Sequence, residues 1–457
     1  MLKSTVCAAA ERKPMSLYEE LRAKHPLFVY EDYTLGEDYL EFHFVMDEYE
    51  FRPRWTFDRA LWGAQCDRGL TERCAFSLGM AELVSYWKCA LSPRIEVRCG
   101  GLTPWQREWW KKLYMNGLGE FFYRNGLNPD PAMFTLEAPE QAPLAGKSAP
   151  KSGVLVPIGG GKDSVVTVEL LKSAGEDIFP YIINPRPATL GCVEAAGIAP
   201  ERTVGVSRTI DKTLLDLNAK GYFNGHTPFS AVVAFSAELF ACMTGRRYIA
   251  LSNESSANEA YVEGTAINHQ YSKSTEFERD FREYCERSFC GGGAEYFSLL
   301  RPWSEWQIAR EFVRHPQYFG VFQSCNLGSK TNVWCGKCAK CLYVYILLAA
   351  FLDDETLHGI FGCDMLQKEE LSEMLDGLML DGEDKPFECV GTKAEVRLSL
   401  YMAAQRREGR LPALLRRFRG KLGGYVPDGG MESFFDKDNF VPQQFLPLLK
   451  GECSNEH

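Results

Sequence analysis

The chain has 457 residues, of which 45% are hydrophobic and 25% charged, a composition that fits a globular protein of two or three domains. Its formal net charge of −10 argues against a protein dedicated to nucleic-acid binding, and its longest apolar run, residues 341–352, is far too short to span a bilayer. Because no basic-then-apolar leader opens the chain, we expect a cytoplasmic protein whose sixteen cysteines are reduced thiols, some of them in a metal site, rather than a disulfide framework.

The first part of the chain predicts an α+β module rich in aromatic side chains. Residues 27–57 alternate in part between aromatic and polar side chains, which predicts two or three antiparallel strands, and helices are predicted over residues 76–89 and 103–123. Thr103 is a suitable N-cap for the second helix, with Pro104 at its first position. Six tryptophans lie here: Trp55, Trp62, Trp87, Trp105, Trp109 and Trp110. Such crowding favours a packed core over a ligand platform.

The composition then changes at a Pro- and Ala-rich segment, residues 128–153, which predicts a linker. We therefore expect three parts: an N-terminal module over residues 1–150, a catalytic domain over residues 151–352, and a helical extension over residues 353–457. The basic run at residues 406–421 in the extension predicts a solvated helix face rather than a phosphate site.

The sequence VLVPIGGGKDS, residues 154–164, is the sharpest signal in the chain. It predicts a buried strand, a glycine turn and a helix N-terminus, an arrangement in which backbone N–H groups and the helix dipole bind phosphate. It is neither a Walker A loop, since Asp163 follows Lys162, nor a GxGxxG fingerprint. The candidate nucleotide-binding residues of the loop are Gly159, Gly160, Gly161, Lys162, Asp163 and Ser164.

Strands and helices are predicted to alternate after this loop. Strands at residues 177–184, 203–206 and 247–251, with an apolar helix at residues 226–244, predict an α/β fold with a doubly wound parallel sheet. Ligands bind at the carboxyl ends of such strands, where Asn184 and Asn253 both lie in the sequence.

A polar loop places His269, Tyr271 and Lys273 shortly after the last of these strands. A single histidine is more often structural than catalytic. Three reactive side chains beside a predicted nucleotide site leave the structural and functional interpretations equally open.

Four cysteines follow at the spacing Cys-x9-Cys-x2-Cys-x2-Cys: Cys325, Cys335, Cys338 and Cys341. This spacing predicts a closed tetrahedral Zn²⁺ site, with a redox CxxC pair as the alternative. Because four thiolates leave no open coordination position, we expect a structural role in which the metal joins the loop to the helix that begins at Cys341.

The loop GGGKDS resembles the SGGxDS loop of the PP-loop ATP pyrophosphatases, which split ATP into AMP and pyrophosphate while activating a substrate as its adenylate. The resemblance implies that Gly159–Ser164 wrap the pyrophosphate end of ATP and that Asp163 helps to hold Mg²⁺. Gly159 stands where this superfamily usually has Ser. Over residues 152–345 the core, with its late cysteines, is similar to 7-cyano-7-deazaguanine synthase, in which the cysteines bind zinc.

The length and the phrases SNESSAN, NHQYSKSTEFE and CGKCAKCLYVYILL resemble a different family, the ATP-dependent UDP-N-acetylmuramoyl-L-alanyl-L-glutamate epimerases of the MurL type. That resemblance implies adenylation of the terminal L-Glu carboxylate, inversion of its α-carbon and release of AMP and pyrophosphate, in peptidoglycan precursor synthesis. It implies ATP and a nucleotide-sugar-peptide as partners, with no nucleic acid and no membrane. The oligomeric state stays open.

Residue roles are assigned under the same hypothesis, from residue type and position in the sequence. Asn184 and Asn253 lie near the nucleotide, and Lys273 neutralises charge on phosphate. His269 is the leading acid–base candidate, with Tyr271 or His226 as a second group.

Two other classes of protein remain as alternatives. One is another PP-loop adenylating enzyme, either a deazaguanine-type ligase or a tRNA-modifying sulfurtransferase. A sulfurtransferase would also need a reactive thiol, whereas the best-placed cysteines here are predicted to be committed to metal. The other is a non-enzymatic ATP sensor, against which the intact residues Lys162, Asp163 and Ser164 argue.

Overall fold

The computed structural model describes residues 16–63, 66–128, 130–140, 151–261, 267–407, 409, 411–427 and 429–450. Part of the Pro- and Ala-rich segment predicted as a linker, residue 129 and residues 141–150, lies outside these ranges, and a short strand occupies residues 135–137 of the segment. Among the described helices, none combines the length and the apolar character needed to cross a membrane.

All described strands belong to one eleven-stranded sheet. The strands are β1 Leu27–Leu35, β2 Tyr39–Met46, β3 Tyr49–Phe51, β4 Arg54–Phe57, β5 Arg94–Val97, β6 Thr135–Glu137, β7 Val154–Pro157, β8 Ile178–Ile183, β9 Val204–Arg208, β10 Tyr248–Leu251 and β11 Glu295–Ser298. Their order across the sheet is β11-β10-β7-β8-β9-β4-β2-β1-β5-β6, with β3 paired to β2.

Strands β7 to β11 are parallel to one another, which confirms the predicted mixed α/β class with a largely parallel sheet. Their residues are almost all apolar, as expected for strands that are covered on both faces. The carboxyl ends of β7, β8 and β10 therefore lie along one edge of the sheet, and the loops that follow them meet there.

The aromatic N-terminal segment forms four strands, β1 to β4, rather than the predicted two or three. The extra strand arises because one arm of a hairpin is interrupted. The chain reverses at Asp47, which adopts a left-handed conformation (φ 51°) between β2 and β3, and Pro53 then separates β3 from β4, which both pair with β2. The β1–β2, β2–β3 and β2–β4 pairs are antiparallel, as predicted.

This N-terminal part shares the sheet of the predicted catalytic domain, because β4 pairs antiparallel with β9. A buried ion pair reinforces the junction: the guanidinium of Arg208 on β9 donates to both carboxylate oxygens of Glu82, at 2.5 and 2.6 Å. The indole of Trp55 on β4 also donates to Glu82 (2.9 Å). With Glu82 fully buried, these three hydrogen bonds compensate for its desolvation and join the two parts of the sheet.

Sixteen α-helices surround the sheet within the described residues. They are α1 Leu17–Lys24, α2 Arg68–Trp87, α3 Pro104–Gly117, α4 Gly119–Arg124, α5 Lys162–Ser173, α6 Pro187–Ala195, α7 Lys212–Ala219, α8 Phe229–Thr244, α9 Thr275–Phe289, α10 Glu305–Phe312, α11 Ala339–Ala349, α12 Asp354–Phe361, α13 Ser372–Met379, α14 Lys393–Gln405, α15 Ala413–Lys421 and α16 Leu446–Lys450.

The sequence predicted correctly where helix α3 begins, whereas helix α8 begins later than predicted. Thr103 caps α3 with a full capping box, and Ser304 does the same for α10. Helix α8 begins at Phe229 rather than at His226, since Pro228 occupies its N-cap, and His226 is therefore left in the loop before the helix.

Four of the six tryptophans predicted to form core do so, while Trp62 and Trp105 are partly buried and pack against it. Trp55, Trp87 and Trp110 are fully buried, and Trp109 is nearly so. They pack in a hydrophobic cluster that also includes helix α8 and strand β10, so the N-terminal aromatic residues and the parallel strands share one core.

Candidate active site at the carboxyl ends of the parallel strands

A cleft of about 480 Å³ lies where the loops after β7, β8 and β10 meet. The loop after β7 contributes Gly159, Gly161, Asp163 and Ser164. Other walls of the cleft are formed by the segments that hold His226, Lys273, Cys325 and Cys389. Distant parts of the chain therefore converge here. The lining residues the sequence did not single out include Arg186, Thr227, Ser230, Glu254, Gln270, Gln323, Ser324, Asn326, Lys340 and Cys389.

The glycine loop turns as the sequence predicts. Gly161 is the N-cap of α5, and Gly160 has φ +86°, a conformation that favours glycine. A Cβ at Gly160 would come within 3.2 Å of the Ala188 side chain, so the loop packs directly on the start of α6. The carbonyl of Gly160 also accepts a hydrogen bond from the backbone N–H of Gln323 (2.7 Å), which ties the loop to the segment before the cysteine cluster.

Lys162 does not line the cleft, although it belongs to the motif. Its side chain is buried and forms ion pairs with Asp163 and with Glu305 at the start of α10. Burial opposes its charge, but the two carboxylates outweigh that effect and raise the pKa of Lys162 above its ordinary value. Lys162 thus stays charged beneath the loop.

Asp163 faces the cleft between positive charges. Burial opposes its ionisation, but Lys162, Lys340 and Lys273 together lower the pKa of the Asp163 carboxyl. Glu254, which follows β10, is a second carboxylate on the cleft wall. Carboxylate oxygens are the ligands that Mg²⁺ prefers in proteins, so the chemistry of this wall fits a magnesium ion held by Asp163.

Three cationic side chains line the cleft: Arg186, Lys273 and Lys340. Arg186 is the N-cap residue of α6, directly after β8, and its guanidinium reaches to 3.5 Å from the carbonyl of Gly159. A basic residue between a strand end and a helix start is a signal that sequence reasoning could have used. Two buried amide atoms of lining residues, Gln270 Oε1 and Gln323 Nε2, have no hydrogen-bond partner among the described residues and are available to a polar ligand.

His226 and His269 lie side by side, with ring centroids 4.6 Å apart, and both face Glu120 of α4. Burial and the neighbouring His269 lower the pKa of His226 to about 4. Burial also opposes the charge of His269, but Cys389 and Glu120 raise its pKa to about 9. The two imidazoles therefore carry different charges at neutral pH, with His226 neutral and His269 protonated.

Lys88, near the end of α2, holds the loop that carries His226. Its ammonium donates to the carbonyl of His226 (3.0 Å), to the hydroxyl of Thr227 (2.6 Å) and to the carbonyl of Gly225. The N-terminal part of the chain therefore supplies Glu120, whose carboxylate orients both histidines, and Lys88, which fixes the loop that carries His226.

Cys389 is a cleft residue that sequence reasoning missed. Its thiol accepts a hydrogen bond from the ammonium of Lys273 (3.3 Å), and the imidazole of His269 lies near it. Desolvation opposes its ionisation, but Lys273, His269 and Lys340 lower the pKa of the thiol to about 5. The expectation that the best-placed cysteines are all committed to metal is therefore incomplete.

The four predicted zinc ligands come together. The ligand atoms of Cys325, Cys335, Cys338 and Cys341 all lie within 4.8 Å of one another. The Cys325–Cys338 and Cys335–Cys341 sulfur pairs are 4.0 and 3.7 Å apart, which matches the edge of about 3.8 Å of a tetrahedron with Zn–S distances of about 2.3 Å. Helix α11 begins at Ala339, with Cys338 as its N-cap, rather than at Cys341. These four side chains fit a closed zinc site.

Besides Gly160 and Lys162, two residues predicted for nucleotide binding or acid–base chemistry do not line the cleft, and a third lines it while bound elsewhere. The side chain of Asn184 bridges the backbone of Arg208, accepting from its N–H (2.7 Å) and donating to its carbonyl (3.1 Å). Tyr271 is buried, with its hydroxyl toward Asn116. Asn253 lines the cleft and donates to the Ser298 hydroxyl (3.1 Å).

The chain is similar to known proteins over most of its length. Residues 19–299 match the family model described as the MurL N-terminal domain, and residues 321–426 match the MurL C-terminal domain. Three curated relatives are each named UDP-N-acetyl-alpha-D-muramoyl-L-alanyl-L-glutamate epimerase.

The relative from Xanthomonas oryzae pv. oryzae (strain MAFF 311018) is 35% identical over 343 residues, covering 73% of this chain and 75% of the relative. The relative from Micromonospora sp. (strain ATCC 39149 / NRRL 15099 / SCC 1413) is 35% identical over 79% of this chain and 80% of its own length. The relative from Salinispora tropica is 36% identical over 70% of this chain and 71% of its own length. The chain belongs to the MurL family.

Proposed function

We propose that this protein is an ATP-dependent epimerase that inverts the α-carbon of the terminal L-Glu of UDP-MurNAc-L-Ala-L-Glu. The observation that carries the proposal is that three relatives of this one name align over 70–79% of the chain. The product would be the D-Glu form of a peptidoglycan precursor.

ATP binds in the cleft under this proposal, on a unit of the PP-loop type built by β7 to β11. Backbone N–H groups at the start of α5 and the cation Arg186 bind phosphate, while Asp163 holds Mg²⁺, which neutralises phosphate charge when bound. The partnerless amide atoms of Gln270 and Gln323 support a polar ligand in this cleft. Lys162 contributes indirectly, because its burial against Glu305 fixes the loop from below.

Adenylation explains how such a site would acidify an unreactive carbon. Removing the α-proton of a carboxylate creates a poorly stabilised dianion, whereas an acyl-adenylate carries no charge on the acyl group, so its α-proton is far more acidic. Neutral His226 is suited to accept a proton and protonated His269 to donate one. Water then releases the inverted acid and AMP.

The remaining parts support this chemistry. Zinc held by the four cysteines would fix the loop that bears Ser324 and Asn326 on the cleft wall, a structural role. The N-terminal module would recognise the UDP-sugar-peptide while supplying Glu120 and Lys88 to the site.

To test the proposed epimerase activity, the purified protein is incubated with ATP, Mg²⁺ and UDP-MurNAc-L-Ala-L-Glu in D₂O. AMP and pyrophosphate are measured together with deuterium at the glutamate α-carbon. We expect all three, and none when ATP is omitted. UDP-MurNAc-L-Ala, which lacks the glutamate, is the matched substrate control and should give no AMP.

Two outcomes contradict the proposal. AMP without deuterium would identify an adenylating enzyme of another kind, such as a ligase. Deuterium incorporation without ATP would remove the adenylation step and with it the proposed role of the glycine loop.

A further inference from the structure

Two thiols line the cleft, and only one of them belongs to the zinc cluster. Cys325 is part of the four-cysteine set, whereas Cys389 is not. The position of Cys389 is fixed on both sides: Lys273 donates to its sulfur (3.3 Å), and Lys340 donates to its backbone carbonyl. A partly buried thiol held in this way faces any ligand that fills the cleft.

Cys389 lies near His269, and His269 contacts Glu120. The Nδ1 atom of His269 lies against the carboxylate of Glu120, and the imidazole and the Cys389 thiol shift each other's pKa. Enzymes use this order of thiol, imidazole and carboxylate to activate a cysteine nucleophile. Lys273 adds a second positive charge beside the sulfur, and the lowered pKa of the thiol agrees with this geometry.

The thiol is also linked electrostatically to the glycine loop. The ammonium of Lys273 interacts electrostatically with both Cys389 and Asp163, so the sulfur and the candidate magnesium ligand share one cation. An acyl-adenylate bound with its phosphate near Asp163 would present its carbonyl carbon close to this sulfur.

A two-base role for Cys389 and His269 fits the geometry less well. Two groups that exchange a proton with opposite faces of one carbon each lie about 3 Å from it, and so about 6 Å from each other. Cys389 and His269 instead lie close enough to shift each other's ionisation, which is the relationship of a nucleophile to the group that activates it.

We propose that Cys389 is a covalent catalyst that carries the substrate as a thioester, an inference that rests on the adenylating epimerase function proposed above. The Cys389 thiolate attacks the carbonyl carbon of the acyl-adenylate, forming a C–S bond, and the C–O bond to AMP breaks with its electron pair leaving on AMP. With AMP already released, the α-proton is removed and returned at the thioester stage, in place of the acyl-adenylate stage. Water then cleaves the C–S bond and regenerates the thiol, so no oxidant or reductant is needed.

The test separates adenylation from the later steps. Wild-type protein turning over UDP-MurNAc-L-Ala-L-Glu with ATP and Mg²⁺ is quenched in acid and examined by intact-mass and peptide spectrometry. We expect a substrate-derived adduct on the peptide that contains Cys389, released by neutral hydroxylamine. Cys389→Ala should keep substrate-dependent exchange of pyrophosphate into ATP, yet lose the adduct and at least ~100-fold of the deuterium incorporation.

Two further variants keep the result interpretable. Cys99→Ala removes a partly buried thiol outside the cleft and should behave like the wild type. Glu120→Gln leaves the nucleophile in place but weakens the orientation of His269, so it should slow adduct formation while pyrophosphate exchange continues. Retained exchange in Cys389→Ala also shows that this variant is folded.

Each opposing outcome has a distinct meaning. Deuterium incorporation by Cys389→Ala within threefold of the wild type overturns the thioester and leaves the epimerase function intact. If Cys389→Ala loses deuterium incorporation but the wild type forms no adduct, the thioester is also overturned, and the thiol is assigned a role in proton transfer instead. Failure of the wild type to form AMP overturns both proposals together.

Discussion

The ammonium of Lys162 lies buried against the carboxylate of Glu305, although the two residues are 143 positions apart. Lys162 belongs to a loop that resembles a phosphate-binding motif, yet its charge is directed into the protein and not toward the cleft. The pair joins the start of α5 to the start of α10, so the loop conformation depends on a distant helix.

We expect Glu305→Gln to destabilise the fold by about 3 kcal/mol, because removing one partner leaves a buried charge with less compensation. Urea denaturation followed by circular dichroism measures this loss. Glu311→Gln, on the same helix and paired with Arg314 at the surface, is the matched control and should cost less than about 1 kcal/mol. Equal losses in the two variants would contradict a special role for the buried pair.

Asp163→Asn should lower AMP formation about 100-fold or more, because a neutral amide is a poor ligand for Mg²⁺ at the phosphates. The fold should persist, since Lys162 keeps its pairing with Glu305. Coupled enzymatic detection of pyrophosphate gives the rate. Asp177→Asn alters a half-exposed aspartate at the opposite end of β8, and its rate should remain that of the wild type. Normal turnover by Asp163→Asn would argue against the nucleotide site proposed here.

The neighbouring imidazoles should titrate far apart, with pKa values of about 4 for His226 and about 9 for His269. Ring ¹⁵N–¹H correlation spectra recorded across this pH range measure both values. His226→Gln and His269→Gln assign the two signals among the seven histidines of the chain. Two signals that both titrate near the ordinary value of about 6.5 would contradict the described arrangement.

These shifts have opposite consequences for stability. His226, whose folded pKa is depressed, contributes stability above about pH 6.5 that is lost as the pH falls through 4. His269, whose folded pKa is raised, contributes stability below about pH 6.5 that is lost as the pH rises through 9. Relative to the wild type, His226→Gln should therefore lose less stability on acidification, and His269→Gln less at alkaline pH.

Cys338→Ser should reduce the bound zinc from one ion per chain and lower the thermal unfolding midpoint, because three thiolates no longer close the tetrahedron. Inductively coupled plasma mass spectrometry and calorimetry measure the two effects. Cys363→Ser changes a thiol that adjoins the cluster at Gly336 without being one of the four, so its zinc content should stay at the wild-type level. Full zinc occupancy in Cys338→Ser would rule out the four-cysteine site.

Features that depend on residues close together in the sequence could be predicted from it. The strand, glycine turn and helix at residues 154–173 follow from an apolar run, three glycines and an amphipathic segment. The spacing of the cysteines predicted the cluster of four sulfurs, and Thr103 caps its helix as expected. Each of these patterns lies within a short segment of the chain, in which local backbone geometry restricts the structures that can form.

The tertiary structure alone decided which side chains face one another in the cleft. Glu120 meets His269 across 149 positions and Cys389 meets Lys273 across 116, and no local pattern encodes either contact. No local pattern encodes the partner of Lys162 either. Its motif suggests a contact with a ligand, but its side chain is buried in an ion pair with Glu305. The physical reason is that burial and ion pairing act between elements that meet only when the sheet and its helices pack.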